Sequence, residues 1–124
     1  MGGINILLVE KSVAFARAIR GFVSPWPHAR IVGHARTAIE ALQSLDRLQI
    51  DLVLVDATML ATSDIDLAAH IKALRRKPKV IVMTLLSLQD GEQIAPGGAD
   101  GLVGKDKLAS QLLPLVDLLC GQAA

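Results

Sequence analysis

The stretch Asp51-Leu52-Val53-Leu54-Val55-Asp56 places four consecutive aliphatic residues between two carboxylates. A run this short and uniformly apolar suits a strand covered on both faces, as inside a parallel sheet. Similar runs recur on either side of it, at residues 4–9 (INILLV), 30–35 (RIVGHA), 79–84 (KVIVMT) and 101–104 (GLVG). Between these strands the apolar residues fall three or four apart. Phe15, Ile19, Phe22 and Val23 make one helical stripe, and Ile39, Leu42 and Leu45 a second. Leu67, Ile71 and Leu74 make a third, and Leu108, Leu112, Leu115 and Leu119 the last. Strand and amphipathic helix therefore alternate in a βα repeat, and each stripe is expected to cover a sheet face.

Helix boundaries follow from local chemistry. Thr37 and Glu40 match the S/T-x-x-E capping box at the start of the second helix. Pro25 and Pro27 are expected to end the first helix, and Pro78 to stop the third after its basic last turn. The segment from Leu88 to Ala95 contains Gly91 and runs into Pro96-Gly97-Gly98, so only a short, weak helix is expected there. Pro114 removes a backbone donor from the last stripe and is expected to kink or split that helix.

A chain of 124 residues is the size of one compact domain, taken here as residues 1–124. It is 52% hydrophobic, but charged residues interrupt each apolar run well before the roughly 18 residues that a membrane helix needs, so no membrane partner is expected. Met1-Gly2-Gly3-Ile4-Asn5 carries neither a basic region nor a leader-length apolar segment, and the expected location is the cytoplasm. Cys120, the one cysteine of the sequence, excludes an internal disulfide and reads as a partly packed thiol. His28, His34 and His70 share no spacing that would build a metal site and read as surface or capping residues. Thirteen basic against twelve acidic residues give a net charge of +1, with no basic run beyond Arg75-Arg76-Lys77, so direct nucleic-acid binding by this domain is not expected.

In an open α/β sheet the ligand crevice lies beyond the carboxyl ends of the strands. The residues at those ends are Glu10-Lys11, Asp56, Thr84 and Lys105. Read singly, an Asp there is usually a turn or helix cap, a Thr an ordinary β-branched strand end and a Lys a solvated charge. Together they supply a carboxylate nucleophile, a hydroxyl donor and ammonium groups that could hold a phosphoryl group.

In this set the chain resembles the receiver domains of response regulators, the CheY-like family, over nearly its whole length. Ile6-Leu7-Leu8-Val9-Glu10-Lys11-Ser12 is similar to the family's first strand and acidic pair, and Asp51 to Asp56 to the strand that carries the phosphoacceptor. Val80-Ile81-Val82-Met83-Thr84 resembles the strand of the switch hydroxyl, and Gly98-Ala99-Asp100-Gly101-Leu102-Val103-Gly104-Lys105 the approach to the family lysine. Ala29 to Ala35 followed by Ala38 to Leu42 resembles receivers of the NarL type. The resemblance implies a doubly wound (βα)5 flavodoxin-like α/β fold, with a five-stranded parallel sheet of order 2-1-3-4-5 and helices on both faces. It implies Asp56 as phosphoacceptor, with Thr84 and Lys105 holding the phosphoryl group. It also implies a Mg²⁺ site from Glu10, Asp56 and the Thr58 backbone carbonyl.

Several positions depart from the family pattern. Lys11 stands where the second acid would ligate Mg²⁺, so Glu10, Asp56, Lys11 and Lys105 sum to zero charge. A unit pair about 5 Å apart at an effective dielectric near 20 is worth roughly 3 kcal/mol, so Mg²⁺ binding is expected to be weak or lost. Thr58 and Leu60 flank Met59 where a proline is common after the methionine, and Asp106 replaces the proline that commonly follows the lysine. Asp106 is expected to cap the final helix. Leu102 occupies the position of a switching aromatic residue and has no aromatic rotamer to switch.

Two functions follow. One is a phosphorelay receiver, charged by a histidine kinase or phosphotransfer protein and acting on an output domain or partner. The other is a phosphorylation-independent interaction module in which Lys11 replaces the metal by pairing with Asp56 and Glu10. Leu85-Leu86-Ser87-Leu88 and the last leucine stripe are expected to expose apolar area for a homodimer or partner. An enzyme of another doubly wound type is not expected, because the sequence has no G-x-x-x-x-G-K, G-x-G-x-x-G or G-x-S-x-G motif.

Overall fold

The computed structural model describes residues 3–60, 65–85 and 98–121. The short helix expected over Leu88–Ala95, and Leu86 to Leu88 of the expected apolar patch, lie outside them. Strands β1 (Ile4–Val9), β2 (Ala29–Ala35), β3 (Leu52–Asp56), β4 (Lys79–Thr84) and β5 (Gly101–Gly104) alternate with helices α1 (Val13–Val23), α2 (Ala38–Arg47), α3 (Leu67–Lys72) and α4 (Leu108–Cys120). Single 3₁₀ turns follow β3 (Ala57–Met59) and β5 (Lys105–Lys107). Among the described residues the five strands form one parallel sheet in the order β2-β1-β3-β4-β5, the expected doubly wound topology.

Alternation along the strands divides the core. Leu52 and Leu54 point with Ile6, Leu8, Ile81 and Met83 toward α1 and α4. Val53 and Val55 point with Leu7, Val9, Val80 and Val82 toward α2 and α3. All five residues of β3 are buried, which is why its sequence carries no polar alternation.

Two of the helical stripes sit differently from expectation. On α2 the buried residues are Ala38, Ala41 and Leu45, while Ile39 is 58% exposed. Alanines let that helix lie close to the sheet and rotate the larger Ile39 outward. On α1, Ala16 joins Ile19 and Val23 in the core and Phe22 is turned out. In α4, Leu108, Leu112 and Val116 are buried, whereas Leu115 and Leu119 lap over Gly101, where an added Cβ would lie 3.1 Å from each. A side chain at Gly101 would therefore require the Leu115 and Leu119 side chains to give way by a few tenths of an ångström.

The Thr37 hydroxyl accepts the Glu40 N–H at 3.1 Å, and Glu40 reaches back to the Arg36 N–H at 2.8 Å, so the expected box is closed one residue earlier on its return arm. α3 ends at Lys72, well before Pro78: the Ala73 N–H is shared between the Ala69 and His70 carbonyls, and the Leu74 N–H turns to the Ile71 carbonyl three residues back. α4 is continuous through Pro114 and is not split. Its N-cap position is Lys107, and Asp106 lies one residue earlier, inside the preceding 3₁₀ turn. Among the described residues no helix is long and apolar enough to cross a membrane.

Candidate functional site

Parallel register brings the strand ends to one edge. Val9 pairs with Ala35 and Val55, Asp56 with Met83, and Thr84 with Gly104, so Glu10, Asp56, Thr84 and Lys105 all emerge at the carboxyl end of the sheet.

Each carboxylate is oriented by local backbone. Asp56 is the N-cap of the 3₁₀ turn: its Oδ2 accepts the Thr58 N–H at 3.1 Å and the Thr58 hydroxyl. Glu10 receives the Ser12 N–H on Oε2 at 3.1 Å, while Ser12 also caps α1 through the Phe15 N–H. The Glu10 backbone is fixed by its own N–H to the Ala35 carbonyl and by the His34 ring, whose Nε2 lies 2.9 Å from the Glu10 carbonyl oxygen.

The remaining oxygens converge on one cation. Lys105 Nζ is 2.8 Å from Asp56 Oδ1 and 2.9 Å from Glu10 Oε1, and it lies 4.4 Å from the centroid of the Phe15 ring. The side chains involved are nearly closed to solvent: 11% exposed for Lys105, 10% for Asp56 and 4% for Glu10. Glu10 Oε1 is buried, and the partner it faces is the Lys105 ammonium. Burial alone would raise the Asp56 carboxyl, but hydrogen bonds from Lys105 and Thr58, together with the Lys105 charge, hold it below its ordinary value of 3.8. Burial likewise works against the Lys105 ammonium, and Asp56 and Glu10 overcome it and raise the lysine above 10.5.

Lys11 is not in this cluster. Its side chain is exposed in the turn after β1, and the ammonium that bridges Asp56 and Glu10 is Lys105's. The loop directs residue 11 outward because Ser12 must turn back to cap α1. Thr84 is half-buried at the end of β4, and Leu102 packs with the α2 and α3 side of the core, paired in register with Val82. Cys120 is half-buried near the opposite end, and burial pushes its thiol up, away from nucleophile chemistry. His28 packs edge-on to Trp26.

Three contributors were not singled out from the sequence: Ser12, His34 and Phe15. Phe15 reads as a core-stripe residue, and only the approach of Lys105 from β5 reveals its second contact. Nothing local marks His34.

The donors were compared with what a hard divalent cation requires. Asp56 Oδ1 and the under-bonded Glu10 Oε1 face the same point, a pair of oxygens suited to Mg²⁺. Among the described residues no group of three or more His, Cys, Asp or Glu is placed to hold a metal ion.

Comparison with known proteins places this edge in context. A family model, the response regulator receiver domain, matches residues 6–117. A protein-glutamate methylesterase/protein-glutamine glutaminase of Methanospirillum hungatei is 27% identical over 89 residues, covering 72% of this chain and 26% of the relative. The nitrate/nitrite response regulator protein NarP of Escherichia coli is 26% identical over 116 residues, covering 90% of this chain and 53% of NarP. The chain therefore spans between a quarter and about half of the length of these curated relatives. Among solved structures, the crystal structure of the P1 domain of CheA3 in complex with CheY6 from R. sphaeroides contains a similar chain, with a TM-score of 0.75 at 22% identity, covering 94% of this chain and 98% of that one.

Proposed function

This chain belongs to the response-regulator receiver family and works in two-component signalling, and from that premise we propose that Asp56 is its phosphoryl-accepting residue. The observation that carries the proposal is the buried convergence of Asp56 and Glu10 on Lys105 at the carboxyl end of the sheet. The donor is a phosphohistidine on a histidine kinase or phosphotransfer protein, and the likeness to a fold solved with a CheA3 P1 domain supports a partner of that kind. An Asp56 carboxylate oxygen attacks phosphorus, forming the O–P bond as the N–P bond breaks. The electron pair of that bond returns to the imidazole nitrogen.

The lowered carboxyl of Asp56 keeps the nucleophile ionised at neutral pH. After transfer the Lys105 ammonium can leave Asp56 Oδ1 for a phosphoryl oxygen, with Thr84 as hydroxyl donor on the same edge. Glu10, Asp56 and the Thr58 carbonyl would hold Mg²⁺. When bound, the ion would offset the negative charge that gathers between the carboxylate and the phosphoryl group. With Lys11 in place of a further acid, binding is weak.

The test is intact-mass analysis after treatment with a small phosphodonor, with and without Mg²⁺. A gain of one phosphoryl mass that is absent in Asp56→Asn is the expected result. No gain, or an equal gain in the variant, overturns the assignment.

A second reading, a phosphorylation-independent interaction module, is favoured by the missing third acid and by the Lys105 ammonium already bridging the two that remain. It requires an unlabelled chain whose Glu10 and Asp56 signals do not move when Mg²⁺ is titrated to millimolar concentration. A clear perturbation would count against it.

A further inference from the structure

The Lys105 ammonium meets more than the two acids. Asp56 Oδ1 and Glu10 Oε1 lie 2.8 and 2.9 Å from it, and it sits over the Phe15 ring, 4.4 Å from the centroid. The Lys105 side chain is only 11% exposed, so the ring stands where a surface lysine keeps water around its charge. The face of an aromatic ring carries negative charge density and attracts a cation, more strongly once water is excluded. Phe15 is therefore a further electrostatic partner of the ammonium.

The acid site itself sets the place of the ring. Glu10 Oε2 accepts the Ser12 N–H at 3.1 Å, and the Ser12 hydroxyl oxygen accepts the Phe15 N–H at 3.1 Å, which fixes Phe15 in the first turn of α1. The other oxygen of the same carboxylate meets the ammonium, so Glu10, Ser12, Phe15 and Lys105 form a closed circuit of contacts. Phe15 also packs on the core that α1 and α4 share, which anchors the ring from below. The partners differ in kind. A carboxylate–ammonium hydrogen bond is directional and is lost when the ammonium turns to another oxygen. Attraction to a ring face reaches to about 6 Å from the centroid and has no single acceptor atom, so it survives such a turn.

We propose that Phe15 is a positioning residue for Lys105: its ring is the seat on which the ammonium stays while it exchanges Asp56 Oδ1 for an oxygen of the incoming phosphoryl group. The exchange rests on Asp56 being the acceptor, whereas the seat does not.

Phe15 and Phe22 are the two phenylalanines of the sequence, and Phe22 is turned outward. In a Phe22→Leu chain, mono-, di- and trifluorinated phenylalanine can therefore be incorporated at position 15 alone. Fluorine drains charge from the ring face while nearly keeping its shape. Two rates are measured across this series and in Phe15→Leu. One is acetylation of Lys105 by a small acylating reagent, read by peptide mass against the exposed Lys11 and Lys107. The other is labelling of Asp56 by a small phosphodonor in Mg²⁺. Acetylation should rise and labelling fall stepwise with each fluorine, reaching a change of about tenfold in Phe15→Leu. Rates that stay flat across the fluorinated series, whether or not Phe15→Leu changes them, make Phe15 a packing residue and overturn the proposal. Graded acetylation beside an ungraded labelling rate overturns it as well. A native chain that takes no label overturns the Asp56 assignment instead, and the acetylation series alone then decides for or against the seat.

Discussion

Asp51 and Asp56 bound the same apolar strand, and each accepts a backbone N–H and pairs with a cation, yet they do different work. Asp51 faces an arginine that is 67% exposed and serves to tie β3 to β1 through Asn5. Asp56 faces a lysine that is 11% exposed and shares it with a second buried acid. An exposed pair is screened by water and is worth little, whereas charges removed from water depend on one another for their solvation. Chemical competence at one end of β3 thus comes from convergence and burial rather than from the presence of an aspartate.

The contrast is broken most severely by Lys105→Met. Removing the ammonium strands two buried carboxylates, and the loss should be about 3–5 kcal/mol in urea unfolding at neutral pH. The pH dependence should change with it. In the native chain Asp56 lies below its unfolded value, so its contribution is present above pH 3.8 and is lost as pH falls below that, through the folded value. Lys105 lies above its unfolded value, so its contribution is complete below pH 10.5 and is lost as pH rises beyond it. Without Lys105, burial is left as the leading influence on Asp56, and the acid limb should invert. The urea midpoint of the variant should then rise on going from neutral pH towards pH about 5, where the native midpoint is flat. A flat profile in both chains would break the account of the site.

The strand pattern was almost fully legible, because residues such as Leu52 to Val55 are covered on both faces and leave a continuous apolar signature. The receiver topology and the edge that gathers Glu10, Asp56, Thr84 and Lys105 followed from that pattern together with the resemblance. Residue orientation was less legible. Ile39 looked like core and is exposed because small Ala38 and Ala41 set the distance of α2 from the sheet. Lys11, adjacent to Glu10 in sequence, was expected in the second reading to pair with Asp56 and Glu10, yet it is Lys105, arriving from β5, that makes this pairing. Sequence adjacency says little about direction once a helix cap such as Ser12 turns the chain.

Two milder substitutions sharpen the comparison. Thr58→Val removes the hydroxyl donor to Asp56 Oδ2 and leaves the backbone N–H, so the loss of stability should be about 1 kcal/mol. The Asp56 carboxyl should move upward in a ¹³C titration, because one of the hydrogen bonds that favours its ionised form is gone. No movement would mean that the Thr58 hydroxyl has no part in holding the carboxyl down.

The smallest effect belongs to the other end of the strand. Arg76→Ala deletes the cation of the Asp51 pair, but Asp51 keeps its bond from the Asn5 N–H and is 30% exposed, so water can replace the guanidinium. The cost should be under about 1 kcal/mol and should shrink further as salt is added, as expected for a screened surface pair. Set beside Lys105→Met, this measures what burial adds to the same kind of contact on the same strand. A loss as large as that of Lys105→Met would show that the Asp51 pair is also shielded from water and would remove the distinction between the two ends of β3.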